Sequence, residues 1–561
     1  MKIKAFSASR LVVCLSGIIY LAAMHAVIPN NGGSGVDMPE SLLVWSLALL
    51  MLAGGFLFFC KERIYISPTL KYITLAVAVM TLPLAWSRHA DWILDALPRF
   101  GGMWAGVLLY TLFLNCRFSA TQVKYLLSFI SIAAFIQALY ALAGLHMPYL
   151  LPTFEQEVLA HVSSSVGVFQ QRNVTASFIA VGGGGLLFML GSSFFRLENR
   201  RTDALRKGLI TAGVVTIYCA LTEIQSRIGW LSGLCVFIGM LALYWRKEAS
   251  ASTRLLILTG PLAGFFCGML LMHGTLLEAL QQHDGSNLQR MMILHETWRM
   301  ILMHPFKGWG YGSYVWSFTH FIADRAFPID TGGVSIPHPH NEFLYWWVEG
   351  GLVAMVGVAI LCYAGIRLLF PMAEKNTFAV FICALPLLLH TQVEYPFYQS
   401  ATHWLTLILL ISLMDNKAVP GKQLQVKKFL LNVITGIFSL FSILMVIIIV
   451  DTLWHEVLLT KFDKNPNKYY KDILLLNETG VGTERLRKDQ AEALIVDYQH
   501  NSSIDDLVRF SDDGHRWIQT WIDADMYDNL INIDYFLGNA RDGNNLKDEA
   551  RKIFVSDKRF Y

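Results

Sequence analysis

The chain has 561 residues, of which 54% are hydrophobic and only 16% charged, with a mean hydropathy of +0.44 and a formal net charge of +3. A soluble globular protein is closer to a quarter charged, and repeated apolar runs near the ~20 residues needed to cross a bilayer identify an all-α polytopic membrane protein instead. The net charge by itself says nothing useful about partners, nucleic-acid binding has no support, and the eight cysteines lie in or beside apolar runs without CxxC spacing, so no metal or redox pair is expected of them.

Lys2, Lys4 and Arg10 precede the first apolar run and no small-residue cleavage site follows cleanly, which predicts an uncleaved first helix. Hydropathy predicts spans at 11–29, 41–60, 70–87, 100–116, 123–145, 174–195, 208–225, 228–245, 255–273, 344–366, 377–392, 402–414 and 428–450, thirteen in all. Lys and Arg cluster in alternate turns (Lys61 and Arg63, Arg117 and Lys124, Arg200 to Lys207, Arg246 to Arg254, Arg367 and Lys375, Lys417 to Lys428). By the positive-inside rule this puts the N-terminus in the cytoplasm and everything after Asp451 outside. The expected domains are therefore 1–273 with nine spans, a long outside loop 274–343 with amphipathic patches such as Met291–His304, 344–450 with four spans, and a small helical outside domain 451–561. A loop of about seventy residues is too long to be a bare connection and usually carries function.

The predicted outside face collects polar residues. In chain order these are Phe169-Gln170-Gln171-Arg172-Asn173 before a helix containing Gly182–Gly185, then Gln225-Ser226-Arg227 in a tight turn, then Asn287-Leu288-Gln289-Arg290. Pro305-Phe306-Lys307-Gly308-Trp309-Gly310-Tyr311-Gly312 reads as a turn that brings backbone close to a partner, and Gln392-Val393-Glu394-Tyr395-Pro396-Phe397-Tyr398 closes the eleventh span. Arginines on this face run against the topology rule, and their fork of donors suits a phosphate oxygen. One of them alone is more often a snorkelling boundary residue. Arg172, Arg227 and Arg290 together indicate an anion site.

The densest element is Ile336-Pro337-His338-Pro339-His340-Asn341-Glu342-Phe343-Leu344-Tyr345-Trp346-Trp347, where a polar loop meets a membrane-length run. Pro339 disfavours helix at His338, so the segment stays non-helical until the run begins. A helix cap at Asn341 or Glu342 accounts for one polar residue there, but not for two histidines, an amide and a carboxylate at a membrane boundary, where polar groups are costly and usually functional. His338 and His340, two apart on an extended segment, face the same side and with Glu342 offer an alternative reading as metal ligands, but no further ligand has diagnostic spacing and a base role is favoured. Tyr395 is balanced between a substrate contact and an interfacial aromatic, Gln171 between a substrate contact and a cap. His146, His161, His304, His320 and His403 are assigned to ordinary interfacial packing, and Trp346-Trp347 to a membrane anchor.

Gln171 and Asn173 before a helix, Ser226-Arg227, Asn287 to Arg290 with the following Pro-Phe-x-Gly-Trp-Gly, and His-x-His-Asn-Glu occur in an order that resembles the O-antigen ligase superfamily over roughly residues 160–415. That superfamily also holds O-antigen polymerases and bacterial O-linked protein oligosaccharyltransferases. Pro-His-Pro-His-Asn-Glu with Trp-Trp-Val-Glu-Gly-Gly, the later Glu-Tyr-Pro-Phe and the C-terminal extension resemble its pilin-glycosylating branch. The resemblance implies a metal-independent, cofactor-free transferase of the bacterial inner membrane whose site faces the periplasm. It implies transfer of a glycan from undecaprenyl diphosphate to a Ser or Thr hydroxyl of an acceptor protein such as pilin. By that resemblance His340 is the base or acceptor-orienting group with His338 and Glu342 in support, Arg227, Arg290 and Arg172 bind the diphosphate, and Gln171, Asn173, Asn341 and Tyr395 position glycan or acceptor. The alternatives are an O-antigen ligase acting on lipid A-core, an O-antigen polymerase, and, outside enzymes, a transporter of lipid-linked glycan, for which paired broken midplane helices are expected.

Overall fold

The computed structural model describes residues 7–58, 63–87, 89–154, 156–157, 167–245, 250–272, 284–326, 328–370, 375–418 and 422–561. The chain is an all-α multi-pass membrane protein apart from one two-stranded ribbon, with eleven helices long and apolar enough to cross a membrane among the described residues. Two shorter apolar helices, Lys375–His390 and Ala401–Asp415, occupy the places expected for the eleventh and twelfth spans. The last apolar helix, Lys428–Lys464, continues well past the end expected at residue 450. Lys61, Arg246, Lys247 and His161 lie outside the described residues. Contacts divide the chain into two units.

The first unit comprises Met1–Thr74, Trp104–Gly285 and Leu361–Val450. Its centre is the helix Arg172–Gly191, buried at every position from Val174 to Leu190. The helices Ala120–His146, Arg200–Glu223, Arg227–Trp245 and Lys375–His390 surround it. The run Gly182–Gly185 makes this possible: a β-carbon at Gly182 would strike Ala134, and one at Gly185 would strike the Ser131 hydroxyl. Glycine weakens an isolated helix by ~1 kcal/mol per residue, and close helix contact in a membrane offsets that cost. The ribbon pairs Arg63–Ile66 antiparallel with Lys422–Gln425, Tyr65 opposite Gln423. The Asn115 side chain brackets Tyr65, accepting from its N–H at 2.7 Å and donating to its carbonyl at 3.0 Å. Two four-residue strands between apolar runs gave hydropathy nothing to detect.

The second unit comprises Leu75–Met103, Ser286–Ile360 and Asp451–Tyr561. After residue 464 come the helices Pro466–Leu474, Thr483–Asn501, Ile504–Trp517, Ala524–Phe536 and Ala540–Ile553. Leu507, Phe510, Trp517, Tyr527, Leu530 and Phe554 are the heart of their core, which also takes in Val315 and Ala323 from the helix Tyr314–Ala323. His320 on that helix stacks on Trp316 and bonds Glu549 at 2.9 Å.

The helix Glu342–Leu369, which stands where one continuous span is expected at 344–366, is broken at Gly351, whose φ of 65° and ψ of −161° no helix adopts. A break at membrane depth frees backbone groups that must find partners within the protein. The turn read from sequence as a close-approach element supplies them. The amide of Leu352 donates to the carbonyls of Pro305 and Phe306 at 3.0 and 3.1 Å, and the amides of Trp309 and Gly310 donate to the carbonyls of Val348 and Glu349 at 2.8 and 3.0 Å. The chains approach so closely that a β-carbon on Gly308 would collide with the Glu349 carbonyl, and one on Gly351 with the Phe306 carbonyl. Buried Glu349 pairs with Arg99 and accepts from the amides of Gly312 and Tyr314 at 3.0 and 3.3 Å. The Arg99 guanidinium lies over the rings of Tyr345 and Trp346, 4.4 and 5.4 Å from their centroids. This corrects the reading of Trp346 as a lipid anchor: it is 7% exposed and packs edge-on against Phe100 and Tyr311. Trp347 is partly buried and donates to the Pro305 carbonyl.

Gly351→Ala combines a left-handed φ with that backbone collision, and a cost of at least ~2 kcal/mol is expected. Thermal unfolding of the detergent-solubilised protein should therefore show a clearly lower Tm than Gly365→Ala, a position where an added β-carbon meets nothing within 4 Å. Equal melting of the two variants would refute this account of the break.

Candidate active site

In the second unit the residues before Glu342 are non-helical, as Pro339 requires, and the helix starts at Glu342. Asn341 is its cap, its side-chain oxygen accepting from the Leu344 amide at 3.1 Å. His340 has a φ of 55°, a left-handed conformation that non-glycine residues adopt uncommonly and that Asn, Asp and His tolerate best. That turn folds the two histidines onto each other: the rings meet edge to face with centroids 4.4 Å apart, and the His340 amide donates to Nδ1 of His338 at 3.2 Å. An imidazole nitrogen that accepts carries no proton, so this bond fixes neutral His338 with its proton on Nε2. His338 is buried and His340 half-buried. Because Nδ1 of His338 is occupied by backbone, it is not available as a ligand atom. Among the described residues no group of three or more His, Cys, Asp or Glu is placed to hold a metal ion. Arg290 is half-buried on the helix Asp284–Met303 of this unit.

In the first unit the residues flanking the glycine helix converge on Glu394. Gln171 donates to one of its carboxylate oxygens at 2.7 Å and Asn173 to the other at 2.6 Å. The Gln171 side chain also caps the helix, accepting from the Val174 amide at 2.7 Å, so the cap and the polar contact coexist in one residue. Ser226 donates to the Asn173 oxygen at 2.7 Å, directly before Arg227, the exposed first residue of its helix. Arg172 is half-buried at the first turn of the glycine helix. Tyr395, also half-buried, follows Glu394 and has its ring 5.7 Å from that of Tyr398.

Behind Glu394 lies a layer that sequence reasoning missed. His390 reaches Glu394 through Nε2 at 3.2 Å and Ser177 through Nδ1 at 2.9 Å. The Nε2 of His403 lies 3.1 Å from the Ser177 hydroxyl and 3.0 Å from the Val174 carbonyl. A carbonyl only accepts, so Nε2 of His403 carries the proton. Ser177, His390 and His403 are fully buried, which corrects the assignment of His403 to interfacial packing. His390 and Glu394 stand four residues apart at the end of an apolar run, a same-face spacing that could have paired them. Nothing in sequence joined them to Ser177 or His403, which depend on helix contacts between distant segments.

A buried carboxylate taking donors from Gln171, Asn173 and His390 is a well-held charge, and each such bond is worth ~1.5–3 kcal/mol. Glu394→Gln presents an amide NH2 to one of those donors. Melting of Glu394→Gln, Asn173→Ala and the double variant should give a coupling of ~0.5–3 kcal/mol, and strictly additive losses would refute the bond.

Residues 212–359 match the family model described as O-antigen ligase, and residues 378–559 match the one described as virulence factor membrane-bound polymerase, C-terminal. The first takes in Arg227, Arg290 and the whole His-Pro-His-Asn-Glu element, the second His390, Glu394, Tyr395 and the C-terminal helices, while Gln171, Arg172 and Asn173 precede both. No curated protein matches the chain. Over these two stretches the chain is similar to the families described as O-antigen ligase and as membrane-bound polymerase.

Proposed function

We propose that this chain is an O-oligosaccharyltransferase of the bacterial inner membrane, facing the periplasm, that moves a glycan from undecaprenyl diphosphate to Ser or Thr hydroxyls of pilin or another periplasmic protein. The coarser reading, a membrane glycosyltransferase of the ligase or polymerase type, is what the family matches indicate. The observation that carries the proposal is the paired histidine turn. Attack of a hydroxyl on the anomeric carbon needs a group that takes the hydroxyl's proton near neutral pH, which suits imidazole. In the proposed mechanism His340 is that group, and His338, held in one tautomer by the His340 amide, fixes the ring that lies edge-on to it. Arg227, Arg290 and Arg172 stabilise the departing diphosphate. Glu342 supports the histidines, Asn341 sets the helix start beneath them, and Gln171, Asn173 and Tyr395 position glycan or acceptor. The protein works without metal or cofactor in this scheme. Residues 274–343 serve as the catalytic loop and 451–561 as the periplasmic domain that meets the acceptor.

A second reading keeps the same parts with a sugar acceptor, ligation to lipid A-core or polymerisation, in line with similarity to an O-antigen ligase family and a membrane-bound polymerase family. A transporter is disfavoured by the break at Gly351, whose freed backbone groups are taken up by the Pro305–Gly310 turn, whereas a transport site would leave such groups to its cargo.

His340→Asn is the sharpest variant, because Asn tolerates the left-handed backbone but does not accept a proton. It should cut transfer by ~10²–10⁴-fold with an unchanged melting profile, and wild-type transfer would remove His340 from the mechanism. Arg290→Ala should weaken retention of the lipid-linked donor, and unchanged donor affinity would count against the clamp. Intact masses of pilin and of surface polysaccharide from cells with and without the gene decide the acceptor. Loss of a glycan from pilin alone supports protein transfer, and a change in polysaccharide alone assigns a sugar acceptor.

A further inference from the structure

The helix Asp284–Met303 is not among the membrane-crossing helices, yet it is apolar on two sides. Ile293, Met300 and Ile301 are buried in a cluster with Tyr314, Phe318, Ile322 and Val348. A separate stripe faces away: Leu288, Met291, Trp298 and Leu302, at 71, 67, 43 and 61% exposure, recur at helical spacing with only His295 among them. Phe306, 69% exposed, extends the stripe into the following turn. Water is a poor neighbour for such a surface, since contiguous exposed apolar patches of this kind mark an interaction face.

What covers it is indicated by the turn to which the helix leads. The Lys307 carbonyl accepts from the indole N–H of Trp86 at 3.3 Å, and Trp86 is the last residue of the apolar helix Pro68–Trp86. The Pro305 and Phe306 carbonyls accept from Leu352 within the span Glu342–Leu369. Trp347 of that span donates to Pro305 and packs edge-on against Trp298 of the stripe, their centroids 5.6 Å apart. Leu352 and Val356, further along the same span, are 44 and 48% exposed, as lipid-facing residues are. The stripe therefore continues the lipid-facing surface of two spans at a level marked by three indoles, the residues enriched where a bilayer meets water. Its polar rim fits the same place. Buried Glu296 takes Arg299 at 3.1 Å and Arg325 at 2.8 Å, which holds two guanidinium groups beside the apolar face.

We propose that Asp284–Met303 is an interfacial helix whose Leu288-Met291-Trp298-Leu302 stripe, together with Phe306, is sunk among the acyl chains of one bilayer leaflet, with the basic residues around Glu296 at headgroup level. The occupant is phospholipid. Arg290 sits off the stripe on the same helix, so bilayer contact fixes its depth and orientation.

The test uses the wild-type protein in nanodiscs of phosphatidylethanolamine and phosphatidylglycerol carrying a small share of a phospholipid with a diazirine on its acyl chain. After photolysis and trypsin, the peptides Met291–Arg299 and Met300–Lys307 should carry lipid adducts at levels comparable with peptides from the spans. The water-facing C-terminal peptide Asp542–Lys547, in which Asp542 is exposed, should carry at least tenfold less. Adducts on the two stripe peptides no more abundant than on Asp542–Lys547 would overturn the proposal, whether water or another protein covers the stripe. Because the measurement reads lipid contact and not transfer, it stands or falls separately from the enzymatic reading.

Discussion

Backbone polar groups have no water to bond inside a bilayer, and a span is interrupted only where other protein atoms take up what the interruption frees. The Pro305–Gly310 turn meets that requirement at Gly351 with bonds in both directions, its carbonyls accepting from Leu352 and its amides donating to Val348 and Glu349. Two glycines make the contact sterically possible, and the buried Arg99–Glu349 pair anchors it from the side. A buried pair of this kind is weak evidence for stability in itself, because desolvation opposes the attraction. Here the carboxylate also satisfies two amides of the adjoining loop, so its removal would strand several groups at once. The histidine turn at His338–His340 opens this same braced helix, one residue-cap away from its first turn.

The other polar centre rests on the same principle in side chains. Glu394 is held by Gln171, Asn173 and His390, and His390 by Ser177. Low dielectric strengthens each bond and makes each loss expensive. Such a network favours one arrangement of the helices that contribute to it, which include the glycine helix and the segment around residues 390–403. Residues chosen from sequence as substrate contacts, Gln171 and Asn173, thus have a structural duty as well, and substitution there would disturb shape and chemistry together.

Much of this was legible in the sequence because the bilayer imposes a one-dimensional code. Each of the thirteen expected spans corresponds to a helix, and the polar, proline-bearing element before Glu342 announced both its non-helical backbone and the cap at Asn341. Legibility ended where a residue's partner is distant in the chain. Gly350-Gly351 read as part of an apolar run because its partner, Pro305, is some forty-five residues upstream. Trp346 read as an anchor because nothing local predicts Arg99 over its face. His390 and His403 passed as unremarkable for the same reason, and the ribbon was too short to register as a pattern.

That ribbon also bears on how the chain is made. Residues 63–66 leave the ribosome about 350 residues ahead of their partners at 422–425, which at ~5–20 residues per second is roughly 20–70 s. Through that interval a strand edge stands open, and open edges invite wrong pairing. Asn115 arrives only about fifty residues after Tyr65 and presents to it an amide donor and acceptor in the pattern of a neighbouring strand. A single side chain thus covers one edge of the first strand, while the other edge waits for residues 422–425 and the ribbon closes late, after the segments between its strands have been made.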